Sequence, residues 1–260
     1  RVATSIGTDN ARRNPQRTAS TAAALMIGLA LVTLVATLAA GITQTFRGAV
    51  NDLFKGDYAI TAQNNFSPIP ITAGNAAAKA AGVEAVGNVR AGEGQAYGRT
   101  ISVSAVDPGS ERVISLKWKQ GSQDVLATLG ADGAFVDDTY AKDHRLKVGS
   151  PVELTFVTGA KQTFTVKGVF DPPTGGSPFG RVTISAAAWD AQNEAPKNLF
   201  SFVKMAGGIT DANQKALDEA LAAFPNAKVA DRKAFIDNQI GPLSSILNVL
   251  YVLLALSVVV

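Results

Sequence analysis

The sequence predicts an α+β fold tied to membrane helices: a transmembrane helix, a mixed α/β ectodomain with a β-rich insertion, and the start of a second transmembrane helix. Three observations predict it. Thr18 to Ile42 carries no charged residue. A second apolar run extends from Ile246 to Val260. Between them, short alternating stretches bounded by glycine, proline and asparagine read as strands, with segments of helical period among them.

The N-terminal residues 1–17 read either as a basic interfacial helix, broken at Asn14-Pro15, or as a lipid-attracted tail. Residues 18–42 form the first span, since a bilayer core of about 30 Å takes roughly 20 helical residues. A cleaved signal peptide is the rival reading. Its apolar core is shorter than this run, however, and Arg47 and Lys55 stand where small residues would precede a cleavage site. Ala24, Gly28, Ala36 and Ala40 give small-xxx-small spacings that let another helix approach closely. Residues 43–56 continue as a stalk, with Phe46, Val50 and Phe54 at helical spacing and Gly56 as the stop.

Residues 57–106 form the first part of an α/β subdomain. Tyr58–Ala62 reads as a strand, Ser67–Pro70 as a loop, and Ile71–Ala81 as a helix with Thr72 as N-cap and Gly82 as stop. Val83–Arg90 reads as a strand, and Gln95–Tyr97 with Thr100–Val106 as a hairpin about Gly98-Arg99. Residues 107–199 form the β-rich insertion. Ala134–Val136 leads into a short helix capped at Asp137-Asp138-Thr139, and Val152–Phe156 pairs with Thr163–Phe170. Asp171–Gly180 reads as an exposed loop presenting Phe179.

Residues 200–231 complete the α/β part, with a strand at Phe200–Met205, an amphipathic helix at Thr210–Phe224 and a strand from Val229. Residues 232–245 form a second stalk, carrying Phe235 and Ile236 and a kink at Gly241-Pro242. Residues 246–260 begin a second span. The chain starts at Arg1 and stops inside that apolar run, which reads as a fragment cut within its next membrane helix. A buried C-terminal helix of a soluble domain is the alternative.

Charge sets the orientation. Arg1, Arg12, Arg13 and Arg17 face Asp9 alone, so the whole formal charge of +3 lies before the first span. Arg12, Arg13 and Arg17 thus place that flank in the cytoplasm and residues 43–241 outside. The pI of about 9.1 reports this lipid-facing flank and not a nucleic-acid surface. With no cysteine, the ectodomain holds together by its core alone.

Few residues carry catalytic chemistry. His144 is the one histidine, so zinc and Cys-His sites cannot be built in the usual way. No Gly-x-Ser-x-Gly elbow or Walker A sequence occurs. Gly92-Glu93-Gly94 lacks the third glycine of a dinucleotide loop, and Asp137-Asp138 fits a helix start better than a cation site. No enzymatic activity and no cofactor are expected.

Asn10-Ala11-Arg12-Arg13-Asn14-Pro15-Gln16-Arg17-Thr18-Ala19-Ser20, passing into Ala24–Val32, resembles the opening of FtsX-like (MacB-like) ABC transporter permeases, closest to the long duplicated actinobacterial ones. Phe46-Arg47 to Asp57-Tyr58, Gly82–Val86 and Leu146–Leu154 resemble that family's extracytoplasmic core. The resemblance implies a ferredoxin-like subdomain with a β-rich insertion, further spans, and a multi-pass protein of the cytoplasmic membrane. It also implies a separate ABC ATPase as partner, contact with membrane lipid, and a homodimer or a pseudo-dimer with a second permease repeat. The expected function is a permease subunit coupling ATP hydrolysis by that ATPase to movement of the ectodomain, for export or for mechanotransmission. The alternative is a membrane-anchored sensor or adhesion protein that only binds.

Overall fold

A computed structural model of the chain describes residues 15–173 and 179–259. The interfacial segment expected at 1–17, with Arg12 and Arg13, lies outside the described residues except at its end. Helix α1 covers Pro15–Leu53. Proline is well placed at its first position, where the backbone N–H has no helical acceptor. At about 1.5 Å per residue the 39 residues extend roughly 58 Å, about twice a bilayer core. Within α1, Met26–Leu53 is long and apolar enough to cross a membrane, and only 6% of its most apolar window is buried. A core helix of a soluble domain would hide that window, whereas here Met26, Ile27, Leu29, Leu34 and Leu38 are open. The span expected at 18–42 and the stalk at 43–56 are one unbroken helix, which ends at Leu53 ahead of Gly56. Thr33 and Thr37 donate to the carbonyls of Leu29 and Thr33 at 2.8 Å, which satisfies both hydroxyls inside the helix.

Strand β1 (Tyr58–Ala62) follows, then β2 (Ile69–Pro70) and α2 (Ile71–Ala77). The loop expected at Ser67–Pro70 is partly strand, because Ile69 and Pro70 pair with Asn198 and Lys197. Pro70, not Thr72, is the N-cap of α2, and no side chain caps it. The helix stops short of Ala81: Lys79 and Ala80 donate to carbonyls three residues back, and Gly82 leaves at φ +82°.

Strands β3 (Val83–Ala96) and β4 (Arg99–Val106) form the long hairpin. Its turn is Tyr97-Gly98, at φ 51° and 71°, one residue before the expected place. Two positive φ values match a primed turn, whose twist suits the strands. Then come β5 (Lys117–Gln120), β6 (Gly133–Asp137), α3 (Asp138–Asp143), β7 (Pro151–Phe156), β8 (Lys161–Asp171), β9 (Val182–Ser185) and α4 (Ala186–Asp190). The last elements are β10 (Lys197–Asn198), β11 (Phe200–Met205), α5 (Asp211–Ala220), β12 (Ala227–Asp231) and α6 (Arg232–Val259). Thr210 caps α5 by accepting from Asn213, and α6 runs through Gly241-Pro242 as continuous helix.

One ten-stranded sheet runs β12-β1-β11-β3-β4-β9-β6-β8-β5, and β7 pairs with β3 and β8. Two clusters of apolar side chains pack on it among the described residues. The first joins Tyr58, Ile60, Val203, Leu217 and Leu221, and the second joins Val103, Val136, Phe164, Ile184 and Trp189. Residues 45–239 make one compact unit, and the flanking helical segments make another.

Candidate functional site

Two helices leave the core unit, and their roots are built from α1 and α6. Val50 and Leu53 are 4% exposed, as are Phe235 and Ile236, so of the apolar residues expected on the stalks Val50, Phe235 and Ile236 are buried in the core. Phe54 lies just past α1 and bridges to Ile114. Its ring stacks on Phe202 of β11 with centroids 3.9 Å apart. Phe235 meets Phe54, Phe202 and Phe200 edge-on, at 6.2, 5.5 and 5.3 Å. Edge-to-face and offset packing suits aromatic quadrupoles, so four rings, from the segment just past α1, from α6 and from β11, lock together.

Backbone bonds fix the same corner. Lys55 N donates to Val113 O and Ser115 N to Leu53 O, both at 2.7 Å. Arg232 Nε donates to Gly56 O at 3.1 Å. Asp57 accepts from Met205 N, and Asp231 from Ala234 N at the start of α6. Gly56 fits a close approach, since a Cβ there would sit 3.0 Å from Val203 O and the β11 backbone would have to give by a few tenths of an ångström.

Farther along both helices the contact changes character. Arg47 Nη2 meets Asp237 Oδ1 at 2.7 Å, with both side chains substantially exposed. Lys233 Nζ meets the other oxygen at 2.8 Å. Lys233 first, then Arg47, holds the Asp237 carboxyl below its ordinary value, and Asp237 holds the Lys233 amine above its own. Exposed pairs of this kind contribute little to stability, so the rings and not the charges fasten the corner.

The remaining sequence candidates fall elsewhere. Gly28 and Ala36 are half-buried and Ala40 is exposed, while only the backbone of Arg17, Ala24 and Phe46 is described. Asp137 is a cap: Oδ1 accepts from Tyr140 N at 2.7 Å and Oδ2 pairs with Arg181. His144 stacks on Tyr97 with centroids 4.2 Å apart. Gly92 lies in β3, where a Cβ would fall 2.7 Å from the Trp189 ring. Phe179 was expected exposed but is 1% exposed, its ring against Phe54, Phe135 and Phe170. A ring that size gains more by filling the core than by marking a loop. Among the described residues no group of three or more potential metal-ligating side chains occurs. A shallow hollow of about 520 Å³ beside α2, lined by Thr72, Asn75, Lys79 and Ala220 among others, brings together no acid–base pair.

Residues 18–221 match the family of MacB-like periplasmic core domains. The chain belongs to that family. It is a membrane-anchored protein with an extracytoplasmic MacB-like core, the part found in MacB-type ABC transporter permeases. Among solved structures, the periplasmic region of MacB from Actinobacillus actinomycetemcomitans shares the fold, with TM-score 0.52 and 14% identity over 71% of this chain and 92% of that one. The extracellular domain of the noncanonic ABC-type transporter YknZ from Gram-positive bacteria gives TM-score 0.47 and 11% identity, over 67% and 98%. A domain of a putative permease from Porphyromonas gingivalis gives 0.47 and 14%, over 67% and 88%. No curated protein matches the chain. The family match ends before β12 and α6, and nothing in the sequence marks Asp237 as the partner of Arg47. Arg47 was read merely as a charge after the span. Phe200 and Phe202, two apart on β11, share a face and signal the ring cluster.

Proposed function

We propose that the chain is the permease subunit of an ABC-type complex, in which a separate ATPase drives movement of the MacB-like core through its two stalks. The observation that carries this reading is the paired contact between α1 and α6: a buried ring cluster near the core and an exposed ion pair beyond it. Phe54 and Arg47 are about 10 Å apart along a helical path at roughly 1.5 Å per residue. Packed rings make a fixed pivot, while a screened surface pair breaks and reforms at small cost. The helices thus hinge about Phe54, Phe202 and Phe235 as Arg47 and Asp237 part. Such a hinge at element ends is a common route for transmitting motion. Export and mechanotransmission both use it.

The test is recovery of a P-loop ATPase with the full-length protein from detergent-solubilised membranes of the native host. Stoichiometric co-purification supports the reading. Full-length protein that repeatedly emerges without an ATPase sinks it, in favour of an anchored sensor or adhesion protein.

A further inference from the structure

The turn between β1 and β2 exposes an aromatic ring beside the helix that leads toward the apolar C-terminal segment. Asn64 Oδ1 accepts from the backbone N–H groups of Phe66 and Ser67 at 3.1 and 2.9 Å, a local cap that turns the chain outward. Phe66 is 52% exposed there. Gln239 Nε2 of α6 donates to Asn65 O at 3.1 Å, which pins the turn to that helix. Gln239 lies two residues beyond Asp237, the last charge of the chain. Asp237 is paired with Arg47, the first charge after the uncharged run of α1. Both helices therefore lose their charges at the level where the turn is held. The chain is also uncharged from Tyr58 to Ala78, and Lys228 donates to Gln63 O at 3.0 Å.

We propose that the Gln63–Ser67 turn is a lipid contact, with Phe66 entering the interfacial layer of the outer leaflet and Lys228 facing the headgroup phosphates. An aromatic ring is favoured in that layer, and a turn whose backbone is tied to Asn64 and Gln239 brings no ion into it. The contact fixes how near the membrane the core is held, and so the range through which the stalks swing. It rests on the reading that α6 enters the bilayer.

Residues 1–260 contain no cysteine, so single labels can be placed among them without background. Ser67→Cys, Val157→Cys and Val249→Cys variants each carry an environment-sensitive fluorophore in phosphatidylcholine–phosphatidylglycerol vesicles. Some vesicles contain lipids brominated near the top of the acyl chain. The label at 67 is expected to be quenched at least twofold more than the label at 157, and Phe66→Ser is expected to remove most of the difference. Equal quenching at 67 and 157, or quenching at 67 unaffected by Phe66→Ser, overturns the inference. Quenching at 249 without quenching at 67 overturns it while leaving the membrane reading of α6 intact. No quenching at 249 overturns both. Crosslinking between copies at 67 without lipid quenching assigns the turn to a second copy instead.

Discussion

Arg90 is 5% exposed and carries a charge into the middle of the sheet. Its guanidinium meets Asp107 and Asp190, each at 2.7 Å. Asn88 reaches Asp107 and accepts from Asn198 at 2.9 Å, so one network ties β3 to the end of β4, to α4 and to β10. Removing one member of a buried pair leaves the others short of a partner, and Arg90→Ala is expected to cost about 3 kcal/mol, read by chemical denaturation. Tyr140 makes a different prediction. Burial, then Tyr97 and Asp137, pushes its hydroxyl up to about 12. A raised pKa means that the folded state holds the proton more tightly. Its stabilising contribution is full below the ordinary value of 10.0 and is lost as pH rises through about 12. Ultraviolet titration of the parent against Tyr140→Phe should show the variant losing one tyrosine that ionises near 12. The Arg90 network was not legible in the sequence, since its partners lie 17 and 100 positions away. The Asp137 cap was legible because capping is settled within one turn of chain.

At the scale of elements, the same division holds. The β3–β4 and β7–β8 hairpins and the Thr210 cap follow from turn residues and alternation that lie side by side in the chain. The β2–β10 ladder does not, because it depends on Lys197 and Asn198 far along the sequence. Spacing marked Val50, Phe54, Phe235 and Ile236 as apolar faces of stalk helices. What it could not reveal is that these faces are the walls of the core, because their partners Phe200 and Phe202 come from β11. The root therefore divides into a part that holds and a part that yields. Phe54→Ala is expected to lower stability by about 3 kcal/mol, as for other buried rings. Asp237→Asn should lower the melting temperature at neutral pH far less than Phe54→Ala does. The Asp237 carboxyl is held below its ordinary value, so any contribution it makes is present at neutral pH and fades only as pH falls below the usual carboxylate range.

For the whole molecule, the membrane helix was the most legible feature, because a long uncharged run needs no tertiary information. The continuous sheet was not, since its strand order joins residues from both ends of the core unit. The MacB-like core and the rooted stalks together make the central claim that an ATPase partner moves the core by opening the stalks about the ring cluster. The most direct measurement is the distance between spin labels at Gly48→Cys and Asn238→Cys in the reconstituted complex, on the membrane side of the cluster. A distance distribution that shifts between the ATP-bound and nucleotide-free states, and does so reversibly on hydrolysis, is the predicted result. A distribution that stays the same in both states, while the ATPase turns over, would contradict it.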